Sequence, residues 1–123
     1  MNKEYLIGLD VSTKCIGIAI FEDLIEEKKG RLLELTHVQP KIKPLPKNKL
    51  EILFKKNDIF QEFISKYKHL NITKIIIEEP LLNSNNIYTT STLIKFNVMI
   101  SKCVYDSFNI VADFISSYDA RKY

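Results

Sequence analysis

Residues Ile72–Ile77 read Ile-Thr-Lys-Ile-Ile-Ile, five β-branched side chains in six positions, with Asn71 before the run and Pro80 shortly after it. Branching at Cβ restricts these residues in a helix and suits a pleated strand. A nearly continuous apolar strand of this kind is predicted to be covered on both faces, as in the interior of an α/β sheet. The rest of the chain must then supply neighbouring strands and the helices that cover them.

It does. Tyr5–Val11 alternates, with Tyr5, Ile7, Leu9 and Val11 on one face and Leu6, Gly8 and Asp10 on the other. Cys15–Phe21 alternates again, Ile16, Ile18 and Ile20 against Gly17 and Ala19, and Ser12-Thr13-Lys14 between the two is short enough for a hairpin. After a charged turn at Glu22–Gly30, Arg31–Val38 reads as a third strand. Pro40–Pro46, with three prolines among lysines, excludes helix and reads as an extended linker. From Lys49 to Tyr67, apolar residues including Leu50, Leu53, Phe60, Phe63 and Ile64 recur at helical spacing. Asn83–Asn86 is a polar loop. Thr89–Thr92 supplies N-cap candidates for a second helix carrying Leu93, Ile94, Val98, Ile100 and Val104. Asn109–Ile115 is a last strand. The order β-β-β-α-β-α-β, a meander and then two crossovers, predicts one α/β domain with a sheet of mixed direction. No helix follows the last strand, so one face of that sheet is expected to lack cover.

Composition narrows the class further. With 46% hydrophobic and 27% charged residues in 123, the chain can build a core, which excludes a disordered tail or a collagen-like fibre. Its longest apolar run, Ile16–Phe21, falls far short of the roughly 20 residues that span a bilayer. No secretory leader is evident, and Cys15 and Cys103 sit in apolar segments without short spacing. Buried free thiols in a reducing, cytoplasmic compartment are expected. The net charge of +3 is mild but uneven: residues 41–68 hold eight lysines against three acids. Such a patch, Lys55 and Lys56 among it, suits either phosphate contacts or a solvated helix face.

Two carboxylates stand out. Asp10 lies in a strand of Leu, Ile and Val, where a buried, unpaired charge costs several kcal/mol. Either it serves a site that needs charge, or it turns the chain by accepting hydrogen bonds from the N–H groups of Thr13 or Lys14. Glu78 ends the Ile72–Ile77 run, and ligands in open α/β sheets bind beyond the C-terminal ends of strands. It too has a plain alternative, a solvated strand end. If the two strands are neighbours, Asp10 and Glu78 converge on one point, and carboxylate oxygens are the preferred ligands of Mg²⁺ or Mn²⁺. Gly8, Gly17 and Ala19 leave room beside them. His37 and His69 have no partner at metal spacing, and no nucleophile elbow, Walker loop or dinucleotide fingerprint is present.

Ile7-Gly8-Leu9-Asp10-Val11-Ser12-Thr13 with Gly17-Ile18-Ala19 resembles the first motif of the RuvC-type Holliday-junction resolvases, and Ile76-Ile77-Glu78-Glu79-Pro80 resembles their second. The likeness implies an RNase H-like fold: a mixed five-stranded sheet of order 3-2-1-4-5 flanked by helices. It also implies a Mg²⁺- or Mn²⁺-dependent endonuclease for branched, four-way DNA, acting in recombination, repair or phage genome processing, as a homodimer without membrane association. By the match Asp10 and Glu78 are the catalytic metal ligands. Ser12, Thr13 and Lys14 lie near the DNA backbone, with Lys55, Lys56, Arg121 and Lys122 as further DNA contacts. The family's third motif, two acids on a final helix, has no counterpart before Tyr123, and Asp113 and Asp119 do not replace it. A nuclease domain over residues 1–123 truncated at its C-terminus is therefore expected. Two other readings stand beside it. One is a non-catalytic DNA-binding or assembly module that keeps the fold. The other is a fragment of an actin-like ATPase or sugar kinase, whose first hairpin also opens Ile-Gly-Leu-Asp-x-Ser-Thr.

Overall fold

A computed structural model describes residues 3–24, 29–79 and 86–116. Three strands open the chain: β1 (Glu4–Val11), β2 (Ile16–Leu24) and β3 (Lys29–Val38). Helix α1 (Lys49–Ile64) follows and ends in a single 3₁₀ turn, Ser65–Tyr67. Then come β4 (Ile72–Glu78), α2 (Ile87–Phe108) and the short β5 (Asp113–Ile115). The strands form one sheet in the order β3-β2-β1-β4-β5, antiparallel through β3-β2-β1 and parallel through β1-β4-β5. That is the order expected. Among the described residues, no helix is long and apolar enough to cross a membrane.

Period-2 alternation divides the sheet into two unlike faces. Ile7, Leu9 and Val11 align with Ile20, Ile18 and Ile16 on β2, while Ile7 and Leu9 also align with Ile75 and Ile77 on β4. All eight are buried, with Leu53, Phe60 and Ile64 of α1 and Phe96, Ile100 and Val104 of α2 in the same core. On the opposite face stand Leu6, Gly8, Asp10, Gly17, Ala19, Phe21, Ile76 and Glu78, and no described helix covers them. The expected double cover of β4 is thus corrected: Ile75 and Ile77 are buried but Ile76 is only half-buried. Its shelter comes from the flanking strands rather than from a packed layer.

Local chemistry sets the element ends. The Asn48 side chain accepts from the N–H groups of Leu50 (2.9 Å) and Glu51 (3.2 Å), capping α1. Asn86 does the same for Tyr88 and Thr89, so α2 starts at Ile87, earlier than the threonine caps suggested. At its other end Asn109 adopts φ 58°, a left-handed conformation that asparagine tolerates, and its N–H reaches the Tyr105 carbonyl. This exit takes up the start of the segment read as the last strand, and β5 is only three residues long. Cys103 is buried, and burial pushes its thiol up to about 11. Cys15, expected to be buried, is only partly so, because it closes the β1–β2 turn.

Away from the strand ends that carry Asp10, Glu22 is 4% exposed and bonded to Arg31 (2.6 Å) and Lys3 (3.3 Å). Burial alone would raise its pKa, but the hydrogen bonds and charges of the two cations outweigh that and hold it below the ordinary glutamate value. A depressed folded-state pKa contributes stability that is complete above the unfolded value of about 4.3 and is lost as pH falls through the folded value. Glu22→Gln is therefore expected to melt below the parent at neutral pH, with the two melting curves converging on acidification. A gap that persists at low pH would show that the ion pairs are not its source.

Candidate metal site

Asp10 and Glu78 end neighbouring parallel strands as register partners. Paired strands lie about 4.8 Å apart, and partners in register project from the same face. Both carboxylates line one open cavity of about 490 Å³ on the uncovered face, with Gly8, Gly17, Ala19 and Ile76 as its floor and Ile115 at its β5 side. A Cβ on Gly17 would stand 3.7 Å from that of Asp10, so the missing side chain leaves the space beside the carboxylate clear. Asp10 itself is exposed, which corrects the expectation of a buried charge: the strand is apolar only on its other face. Neither carboxylate has a hydrogen-bond or ion-pair partner among the described residues.

Asp10 does not make the turn. Ser12 does, donating its hydroxyl to the Cys15 carbonyl (2.8 Å), accepting from the Cys15 N–H (3.1 Å) and adding a backbone bond to the same carbonyl (3.0 Å). Lys14 is exposed at the turn. Thr13 is half-buried, and its carbonyl accepts from Nζ of Lys56 at 2.6 Å. Lys56 is thus tied to the hairpin from α1, where burial lowers its pKa. Lys55 beside it is exposed and lines a separate cavity of about 520 Å³ between residues 41–46 and α1, with Lys41, Lys43, Glu51 and Asp58. Arg121 and Lys122, like Asp119, lie outside the described residues. Asp113 aligns with Ile76, one level below the Glu78–Ile115 pair, and does not line the cavity.

Sequence reasoning missed Asn97. Buried on α2, it donates from Nδ2 to the Leu93 carbonyl (2.9 Å) and to the Val11 carbonyl (3.5 Å), one residue past Asp10. Its place among Phe96, Ile100 and Val104 was the available signal, since an amide at a core position of a helix needs a polar partner. Lys56 and Asn97 therefore hold the carbonyls on either side of Ser12 from two helices, fixing the end of β1 from behind.

Two carboxylates on one face are the hard oxygen donors that Mg²⁺ and Mn²⁺ take, and Mg²⁺ commonly binds through one or two carboxylates with water and phosphate completing its shell. The donor set fits one such ion. Among the described residues, no group of three His, Cys, Asp or Glu side chains is placed to hold a metal.

This arrangement is an RNase H-like fold, and known structures share it. The Thermus thermophilus RuvC in complex with Holliday junction substrate superposes with a TM-score of 0.70 at 11% identity, over 97% of this chain and 68% of that one. A second T. thermophilus RuvC structure gives 0.65 at 12%, over 96% and 67%. An Aquifex aeolicus Ppx/GppA phosphatase gives 0.51 at 9%, over 93% of this chain and 36% of that one. No protein-family model matches the sequence, and no curated protein does.

A hydrogen bond from a charged donor contributes about 1.5–3 kcal/mol when well buried, and Lys56 is partly exposed. Lys56→Met is expected to lower the unfolding free energy by about 1–2 kcal/mol in urea titrations. An unchanged midpoint would mean that the hairpin holds its place without the tether.

Proposed function

We propose that the chain is a metal-dependent endonuclease domain of the RuvC type that acts on branched DNA, with Asp10 and Glu78 as its metal ligands. The observation that carries this reading is the register pairing of the two carboxylates at the C-terminal ends of β1 and β4, in one cavity. The RuvC likeness supports it: one structure that shares the fold is T. thermophilus RuvC in complex with Holliday junction substrate.

When bound, a divalent ion polarises a phosphoryl oxygen and makes coordinated water a better nucleophile. The chain's own part is positional. Asp10 and Glu78 would hold the ion on a strand pair whose register the core enforces. Gly8, Gly17 and Ala19 keep the floor low beside the carboxylates, which leaves room there for a bulky phosphodiester. Ser12, Thr13 and Lys14 border this end of β1 and face the substrate backbone, Lys14 supplying positive charge. Lys55 extends the positive field, whereas Lys56 acts by holding Thr13 rather than by meeting phosphate.

Asp10→Asn or Glu78→Gln is expected to abolish Mn²⁺-supported cleavage of a four-way junction, weaken Mn²⁺ binding by at least tenfold, and leave junction binding intact. Variants that bind Mn²⁺ like the parent would overturn the assignment. A non-catalytic DNA-binding module is the second reading, favoured by the two-carboxylate donor set among the described residues. It prevails if the parent binds junctions but never nicks them with either ion. Tight ATP binding without junction affinity would instead favour the ATPase-like reading.

Lys55→Gln is expected to weaken junction binding and reduce the slope of log affinity against log salt by about one ion contact. An unchanged slope would return Lys55 to the solvated face of α1.

A further inference from the structure

The register of the sheet sets one more chemically active side chain in line with the two acids. Glu78 pairs with Asp10, Asp10 with Gly17, and Gly17 with His37, so a single row crosses β4, β1, β2 and β3. Register partners project from the same face, which puts His37 on the open face with the carboxylates. It is exposed there, on the edge strand of the sheet. The irregularity between β2 and β3 lies beyond Ile20, so the pairing of Ile16–Ile20 with β3 is continuous through this row. Two strand spacings of about 4.8 Å each separate Asp10 from His37. Gly17 stands between them without a side chain. A Cβ on it would lie 3.7 Å from that of Asp10 but would meet nothing of β3 within 4 Å. The row is thus an open slot with carboxylates at one end and an imidazole at the other. That span is too long for His37 to share an ion with the acids, in keeping with the lack of a three-residue metal group among the described residues. The other side chains of β3 on this face, Leu32 and Leu35, are apolar.

We propose that His37 is the general acid of the reaction, giving a proton to the oxygen that leaves when the phosphodiester is cut; this rests on the endonuclease reading of Asp10 and Glu78 and adds a catalytic residue to it. In an in-line displacement at phosphorus the attacking and leaving oxygens lie on opposite sides. With a phosphodiester seated over Gly17 and water attacking from the carboxylate side, the leaving oxygen points across the slot to β3. There the bond from water oxygen to phosphorus forms and the bond from phosphorus to the leaving oxygen breaks. The electron pair of the broken bond takes the proton of a ring N–H, leaving a hydroxyl terminus and a neutral imidazole. The attacking water loses its proton to solvent, and solvent returns one to the ring. Histidine is the side-chain type that exchanges a proton near neutral pH, as a general acid must.

Cleavage of two four-way junctions with Mn²⁺ tests the step. One is native; in the other, sulfur replaces the bridging oxygen that leaves, as identified from the termini of the native products. His37→Gln keeps a hydrogen-bond donor but has no proton to give. Because His37 is exposed at a sheet edge, the variant is expected to keep the parent's circular dichroism spectrum, melting temperature and junction affinity. It is expected to cut the native junction about a hundredfold more slowly. On the sulfur junction the two should cut at nearly the same rate, since a thiolate leaves without a proton. The imidazole proton resonances give a second readout without metal: adding junction should move the His37 signal. That of His69, which precedes β4 at the opposite end of the sheet, should stay in place. A parent that cuts neither junction removes the endonuclease reading and this step together. If the parent cuts but His37→Gln matches it on the native junction, or is as slow on the sulfur one, the role of His37 alone is overturned. A His37 signal that junction DNA does not move overturns it as well.

Discussion

The parallel pairing of β1 with β4 is the constraint on which the molecule depends. Ile7 opposite Ile75 and Leu9 opposite Ile77 form the middle of the buried face, and the same ladder ends at Asp10 opposite Glu78. Because side chains alternate with period two, a slip of one residue would expose the isoleucines and bury the acids. The hydrophobic energy of the core therefore enforces the juxtaposition of two like charges that would otherwise repel. No local interaction between the carboxylates is needed, and none is present. A bulge near Tyr5 absorbs the one irregularity of the ladder at the end away from the acids, leaving the register from Leu6 to Asp10 continuous.

The two faces of the sheet have separate tasks. The covered face provides stability and also precision, since both helices reach through to the hairpin: Lys56 from α1 and Asn97 from α2 take the carbonyls flanking Ser12. The open face provides access, with small residues where a ligand would approach and carboxylates that have no partner among the described residues. A site built in this way holds its acids on strands whose register the core fixes, beside an open cavity that a cation could enter. The uncovered face also leaves Leu32 and Leu35 of β3 exposed, and α2 carries a second apolar stripe on its outer side.

Much of this was legible in the residues. The alternation in Tyr5–Val11 and Cys15–Phe21, the isoleucines of β4 and the order of elements specify a mixed sheet, because burial requires those periodicities and little else satisfies them. Asp10 and Glu78 were visible as acids at the ends of apolar strands. Their surroundings were not. Asp10 is exposed rather than buried, and Ile76 lacks the cover its neighbours have, since both depend on which face the helices occupy. Lys56 read as one lysine in a basic stretch, and only its position above the hairpin makes it a tether.

The amino-acid sequence by itself determined where strands and helices form and which residues share a face, because period-two and helical spacing act over a few neighbouring residues. Only the tertiary structure decided that β1 lies beside β4, that the described helices cover one face alone, and that Lys56 and Asn97 meet the β1–β2 hairpin. Those outcomes rest on contacts between segments far apart in the chain, such as the pairing of β1 with β4 or the bond of Lys56 to Thr13. Local pattern carries no record of such contacts; packing the whole core selects them.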